Sequence, residues 1–219
     1  AAAERGVAVF CEKPLAFDEA AAQRMVDSVE AAGVVNQVGL VLRFVPQFLH
    51  AKALLADDRA GCLLAVSFRD DQFIPIQSHY RPTWRIDPER CARGTLLEHS
   101  IHDVDVMQWM CGPVESVSGT VREVHGHPRI DDVAVARLEF ADGGIASLTS
   151  IWHDIIDRPS LRHVEIFSEN LYLHLDGEPT SPLTWQFTGE PVQTLGGDAL
   201  ARACIDAGVN YLDITTAAE

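Results

Sequence analysis

Three groups of residues have types and spacing that could do chemistry. The first is Cys11-Glu12-Lys13-Pro14, directly after a short apolar run at 7–11. Such a run suits a buried parallel strand. In open α/β sheets ligands bind beyond the carboxyl ends of the strands, so the group sits where a ligand would be met. Pro14 biases Lys13 toward an extended backbone. A lysine held there could donate to a substrate hydroxyl or stay positive beside a developing alkoxide. A lone solvated loop lysine is the plainer alternative.

The second group spans 94–105 and contains Gly94, Glu98, His99, His102, Asp103 and Asp105. On one continuous helix, Glu98 and His102 are four residues apart and share a face. His99 and Asp103 form a parallel pair about 100° around the axis. A carboxylate beside an imidazole raises its pKa and orients the ring, which suits a general acid or base near neutral pH. Two surface ion pairs would show the same spacing. The third group is Arg43-Phe44-Val45-Pro46, where Arg43 could serve a cofactor, a substrate or only the structure. Tyr80, Trp84 and Arg85 lie ahead of the second group and could line a sugar pocket or simply fill a loop. His125-Gly126-His127 falls at a hairpin tip and is not read as a metal site. No G-x-G-x-x-G occurs, so no residue of the chain supplies the usual pyrophosphate cradle.

The elements that must position these groups follow from periodicity. Residues 1–5 read as a helix tail closed by Gly6, and 7–11 as a strand. Asp18 can cap a helix carrying Ala22, Met25, Val26 and Val29 on one face, with Gly33 ending it. Residues 34–42 are strand-like again, which makes a βαβ unit. Pro46 opens a second helix through Leu55. A strand at 63–68, a loop over 70–93 and a helix over 95–111 follow. Strands are expected at 114–124, 132–140, 145–152, 163–167 and 171–175, with a hairpin at 141–144. Strands in succession without helices between them mean an antiparallel sheet. The fold class is therefore α/β (α+β): a partial Rossmann-type βαβ unit, then an open, mainly antiparallel sheet with helices on one face. Both ends read as cut, since a helix tail stands at residue 1 and an S/T-x-x-E helix start at 216–219.

Composition narrows the function. The chain has 219 residues, 47% hydrophobic and 22% charged, enough for a proper core. A net charge of −15 repels phosphate backbones and anionic lipid, which argues against nucleic acid and membrane as partners. No apolar run approaches the roughly 18 residues of a membrane span, and no secretion signal is visible. The five cysteines are odd in number and none shows C-x-x-C spacing, which fits reduced thiols and a cytoplasmic protein.

Taken together, these residues resemble the glucose–fructose oxidoreductase / inositol dehydrogenase (Gfo/Idh/MocA) family. Glu12-Lys13-Pro14-Leu15-Ala16 resembles its E-K-P-x-x motif, and residues 37–46 its segment after the next strand. Residues 94–112 resemble its catalytic helix, G-x-x-x-D-x-x-x-H-x-x-D. The resemblance implies an NAD- or NADP-dependent oxidoreductase acting on a secondary hydroxyl of a sugar or polyol. It implies His102 as acid/base, Lys13 beside the nicotinamide and the reacting hydroxyl, and Glu12, Lys13, Pro14 and Arg43 toward the cofactor. Tyr80, Trp84, Arg85 and His99 would face substrate. Glu98 stands where many relatives have aspartate; its extra methylene leaves two roles open, touching substrate or orienting His102. Residues 1–42 would be what is present of the Rossmann domain, and 43–219 the substrate and oligomerisation domain. The sheet implies a homodimer or homotetramer. Other readings are an NAD-dependent glycosidase of the same fold, a piece that only binds or dimerises, and a metal-dependent hydrolase or lyase built on Glu98, His99 and His102.

Overall fold

The computed structural model describes residues 1–76, 83–91, 93–155, 157, 160–176 and 181–206, without the side chain of Cys204. Strand β1 (Val9–Cys11), helix α1 (Glu19–Ala32) and strand β2 (Asn36–Val38) form the βαβ unit, with β1 and β2 parallel. The caps are those the sequence indicates. The Asp18 carboxylate accepts the Ala21 N–H at 2.7 Å, and Gly33 closes the helix in the left-handed region at φ 62°. Two expectations fail here. The strand at 34–42 shortens to three residues and gives way to a 3-10 turn, Val41–Phe44. The β1 strand is not buried: Phe10 is 61% exposed and α1 has no buried residue. Among the described residues only these two strands pair in this sheet.

Helix α2 (Pro46–Leu55) begins with Pro46 in its first turn, where the missing N–H costs nothing. It leads through β3 (Leu63–Phe73) and helix α3 (Ile101–Cys111) into strands β4 (Val114–Arg122), β5 (Val133–Phe140), β6 (Ile145–His153), β7 (Leu161–Ser168) and β8 (Leu171–Asp176). Strands β9 (Leu183–Phe187) and β10 (Gln193–Leu195) and helix α4 (Gly197–Asp206) complete the described chain and were not expected from the sequence. The eight strands β3–β10 lie in the order β10-β9-β8-β7-β3-β6-β5-β4. All neighbours are antiparallel except β3 and β6. Alternate residues such as Phe68, Leu148, Val164 and Ile166 turn to one face and pack on Phe48, Val106, Met107 and Leu200 of the helices. The opposite face is open, with Val135, Ile145 and Phe167 each about half exposed. The fold class is the one expected.

Strand β3 runs five residues past its expected end. The hydropathy pattern stops at Phe68 because Asp70, Asp71 and Gln72 are polar, yet all three are buried. Their partners, described below, replace apolar packing. The expected helix over 95–111 is also not continuous. Residues Thr95–His99 form a π-helical turn, Ser100 breaks it, and α3 starts at Ile101.

That π-helical turn is clamped from beneath. Gly94 lies so close to Asp131 that a Cβ there would meet the Asp131 carbonyl oxygen at 1.9 Å. Asp131 accepts the Thr95 N–H at 2.7 Å on its carbonyl and the Leu96 N–H at 3.1 Å on its carboxylate. The buried hydroxyl of Ser150 on β6 lies 2.7 Å from that of Thr95 and accepts from Ser100 at 2.6 Å. Gly94→Ala must therefore displace backbone, and a loss of more than about 3 kcal/mol is expected. Gly33→Ala, with open space around it but positive φ, should cost about 1 kcal/mol. Urea unfolding of the two variants checks this, and equal losses would show that residues 94–95 yield easily.

Candidate active site

Lys13 leaves the carboxyl end of β1 and reaches the π-helical turn. Its ammonium donates to the Glu98 backbone carbonyl, and Glu98 Oε1 lies 3.5 Å away. The same Oε1 is 3.3 Å from Arg85 Nε, whose guanidinium lies 4.6 Å over the Trp84 ring. Glu98 is thus a buried carboxylate between two cations, and an aromatic face backs the second.

The expected i, i+4 pairs do not form. His99 Nε2 lies 2.9 Å from Asp70 Oδ2 on β3 instead of meeting Asp103. Asp103 accepts from Arg162 Nε at 3.1 Å, and the Arg162 Nη2 also bonds Asp70. No hydrogen bond links Glu98 to His102 among the described residues. The break at Ser100 is the cause, because i, i+4 proximity needs an uninterrupted α-helix. Asp70 and Arg162 are functional neighbours that periodicity missed; nothing local to β7 marks Arg162. The one sequence signal was a pair of aspartates, Asp70-Asp71, at the end of an apolar strand.

This arrangement sets the electrostatics. Burial pushes the Asp103 carboxyl up to about 6, with Arg162 opposing and Asp70 adding to the rise. Burial would also raise Asp70, but Arg162 and His99 outweigh it and hold that carboxyl below the usual range. His102 responds most. Burial, then the charges of Lys13, His99 and Arg162, lower its pKa to about 3, with Asp70 only partly offsetting them. The imidazole is therefore neutral at physiological pH. Its Nδ1 is buried and has no hydrogen-bond partner among the described residues. A neutral imidazole close enough to feel the Lys13 charge is in the state that can take a hydroxyl proton.

The remaining expected residues divide. Arg43 is held by Asp105 of α3, with Nε 2.8 Å from Oδ2 and a second bond from Nη2. This two-pronged pair ties the segment after β2 to α3 and engages the guanidinium. Glu12 is exposed on the β1 loop, and Pro14 follows Lys13 through a cis peptide bond. Trp84 and Arg85 flank Glu98, whereas Tyr80 lies outside the described residues. At the proposed hairpin tip His125 is engaged by Asp132, which accepts from its backbone N–H at 2.7 Å and lies 2.9 Å from its Nδ1. A cleft of about 450 Å³ adjoins the π-helical turn, lined by Phe17, Cys91, Arg93 and Asp131 among others.

With this geometry in view, the similarities to known proteins can be placed. Residues 48–170 match the family profile described as the GFO/IDH/MocA C-terminal domain. Residues 1–40 match that of an oxidoreductase family with an NAD-binding Rossmann fold. The chain belongs to the GFO/IDH/MocA family. Scyllo-inositol 2-dehydrogenase (NAD(+)) of Bacillus subtilis is 30% identical over 166 residues, covering 70% of this chain and 46% of that protein. A 2,7-anhydro-N-acetylneuraminate hydratase of Mediterraneibacter gnavus is 30% identical over 154 residues, covering 67% of this chain and 40% of that protein. The crystal structure of an oxidoreductase domain protein from Kribbella flavida superimposes with a TM-score of 0.79 at 26% identity, over 90% of this chain and 56% of its own. The chain spans less than half the length of the two curated relatives.

The lowered His102 pKa has a measurable consequence. Below the ordinary value of 6.5 the unfolded chain protonates this histidine, while the folded chain resists until about pH 3. Its contribution to stability is complete above pH 6.5 and declines as pH falls. His102→Asn removes that dependence. Relative to the variant, wild type should lose about 2 kcal/mol of stability between pH 7 and pH 5. Urea titrations at the two pH values measure it; a constant difference would mean that folded His102 protonates freely.

Proposed function

We propose that this chain carries the catalytic and substrate portion of an NAD- or NADP-dependent oxidoreductase acting on a secondary hydroxyl of a sugar, polyol or related carbohydrate. The observation that carries this reading is the largely buried, neutral His102 within the field of the Lys13 ammonium. Residues 1–42 belong to the nucleotide-binding domain and 43–219 to the substrate and oligomerisation domain.

The residues present fit one end of a dinucleotide. The loop of Glu12, Lys13 and Pro14 is where the nicotinamide would lie, as ligands do at the carboxyl edge of a parallel sheet. The N-terminus of α1 is unsuited to a pyrophosphate, because the Asp18 carboxylate already caps it and Glu19 follows. When bound, the nicotinamide supplies the acceptor or donor of the hydride. The chain's own residues do the rest. His102, as a neutral imidazole, accepts the hydroxyl proton, and Lys13 holds positive charge beside the oxygen as that proton leaves. Glu98, bonded through its carbonyl and facing the ammonium with its carboxylate, fixes Lys13 in place. Arg85 and Trp84 offer an arginine and an aromatic face to a sugar.

A second reading draws on one relative. The hydratase is as similar to this chain as the dehydrogenase is. The same His and Lys could serve a glycosidase or related lyase in which cofactor redox cancels over the cycle. Accumulation of NADH or NADPH during turnover separates the two. A reducing, cytoplasmic location belongs to the same proposal; no helix among the described residues is long and apolar enough to cross a membrane.

The catalytic assignment is tested with a family nucleotide-binding segment carrying a G-x-G-x-x-G turn joined ahead of residue 1. Lys13→Ala and His102→Ala should each lower kcat about 100-fold or more with little change in thermal unfolding. Near wild-type turnover in either variant removes that residue from the mechanism.

Assembly is part of the proposal. The open sheet face carries Val135, Ile145 and Phe167 and fits the cover of a second copy. A homodimer or homotetramer is expected by light scattering at micromolar concentration, and a strict monomer would refute it.

A further inference from the structure

We propose that the open face of the sheet holds a zinc-type divalent transition-metal site on β7 and β8, built from His163, His174 and Asp176. The antiparallel register pairs His163 with Asp176 and Glu165 with His174. Residues two apart on a strand share a face, so these four side chains form a square on the open face, the one proposed above to meet a second copy. Val164 and Leu175, between them in the ladder, are buried in the core on the other face.

The donors are already gathered. One ligand atom from each of His163, His174 and Asp176 lies within 4.8 Å of the others. The His163 Nδ1 is 3.3 Å from Asp176 Oδ1, and the two imidazole rings are 5.1 Å apart at 59°. Bonds near 2.0 Å set the donors of a tetrahedral ion about 3.3 Å apart. Small rotamer changes would therefore close a three-ligand site, with the fourth position left to water or to a group of the facing copy. Two imidazoles and a carboxylate favour zinc, nickel or copper over magnesium or calcium.

An outer shell is also in place. With His163 bound through Nδ1, its Nε2–H points toward Glu165 Oε2, 3.5 Å away. Tyr172 Oη donates to Glu165 Oε1 at 2.9 Å and holds that carboxylate in position. A carboxylate behind the distal nitrogen is what fixes the tautomer and orientation of a metal-binding histidine. On the other side of β7, Arg69 faces His163 across the β3 pairing, but its guanidinium turns to Asp71 at 3.3 Å. The site stands apart from Lys13 and His102 and does not depend on the proposed reaction.

The test is calorimetry of the chelator-treated 219-residue chain with zinc chloride, and with magnesium chloride as the control. One zinc per chain at micromolar affinity and no magnesium binding are expected. His163→Ala and His174→Ala should each weaken zinc at least 10-fold, and Glu165→Gln about 10-fold while leaving circular dichroism unchanged. Zinc should also shift the His163 and His174 ring resonances in NMR spectra ahead of those of His125 and His153. No zinc binding, or affinity unchanged in the His163→Ala/His174→Ala double variant, would overturn the site.

Discussion

One cation holds the face that carries His99 and His102 together. Arg162, on β7, bonds both Asp70 of β3 and Asp103 of α3, and Asp70 also engages His99. Taking ions out of water costs several kcal/mol each, and good geometry with full hydrogen bonding must offset that cost. Here the offset is shared across three elements. The network ties the strand pair β3 and β7 to the helix carrying His102, and to the turn carrying His99. Without the guanidinium, two buried carboxylates would face each other unneutralised, and one would have to take up a proton.

The same network bears on the state of His102. Burial is the largest cause, Lys13 the next, and His99 and Arg162 of this network add to them. A histidine placed among cations and away from water stays neutral and keeps an acceptor free, which a base needs before its substrate arrives. Structure and chemistry are therefore linked: charges that pin α3 to the sheet also help to hold the imidazole unprotonated.

The fold was legible where side chains act locally. Asp18, Gly33, Pro46 and Gly143 mark ends and turns through their own backbone chemistry, and alternation marks β4–β8. It was illegible where distant groups substitute for apolar burial. Asp70, Asp71 and Gln72 look like a loop because their partners, such as Arg162 and His153, lie some 80 to 90 residues away. The site was legible in its residue types and not in its pairings. Lys13 and His102 stand out by motif. Reading 95–111 as one helix paired Glu98 with His102 and His99 with Asp103, and the π-helical turn defeats both. Its cause is tertiary: Asp131 and Ser150 take the turn's amide and hydroxyl groups, and no local signal encodes that.

That broken turn takes Glu98 away from His102, so the orienting role that helix spacing suggested does not hold. A carboxylate four residues before a histidine would support it only on an unbroken α-helix. With the π-helical turn, Glu98 faces the other way, toward Lys13 and Arg85. Its carbonyl and carboxylate together give the Lys13 ammonium two acceptors, and its negative charge offsets the cost of holding that cation half-buried. Aspartate at this place would fall about one methylene short of the same reach. The longer side chain is thus matched to the Lys13 ammonium, which it holds near the neutral His102. The separation of the two states follows from which way one turn of backbone is wound.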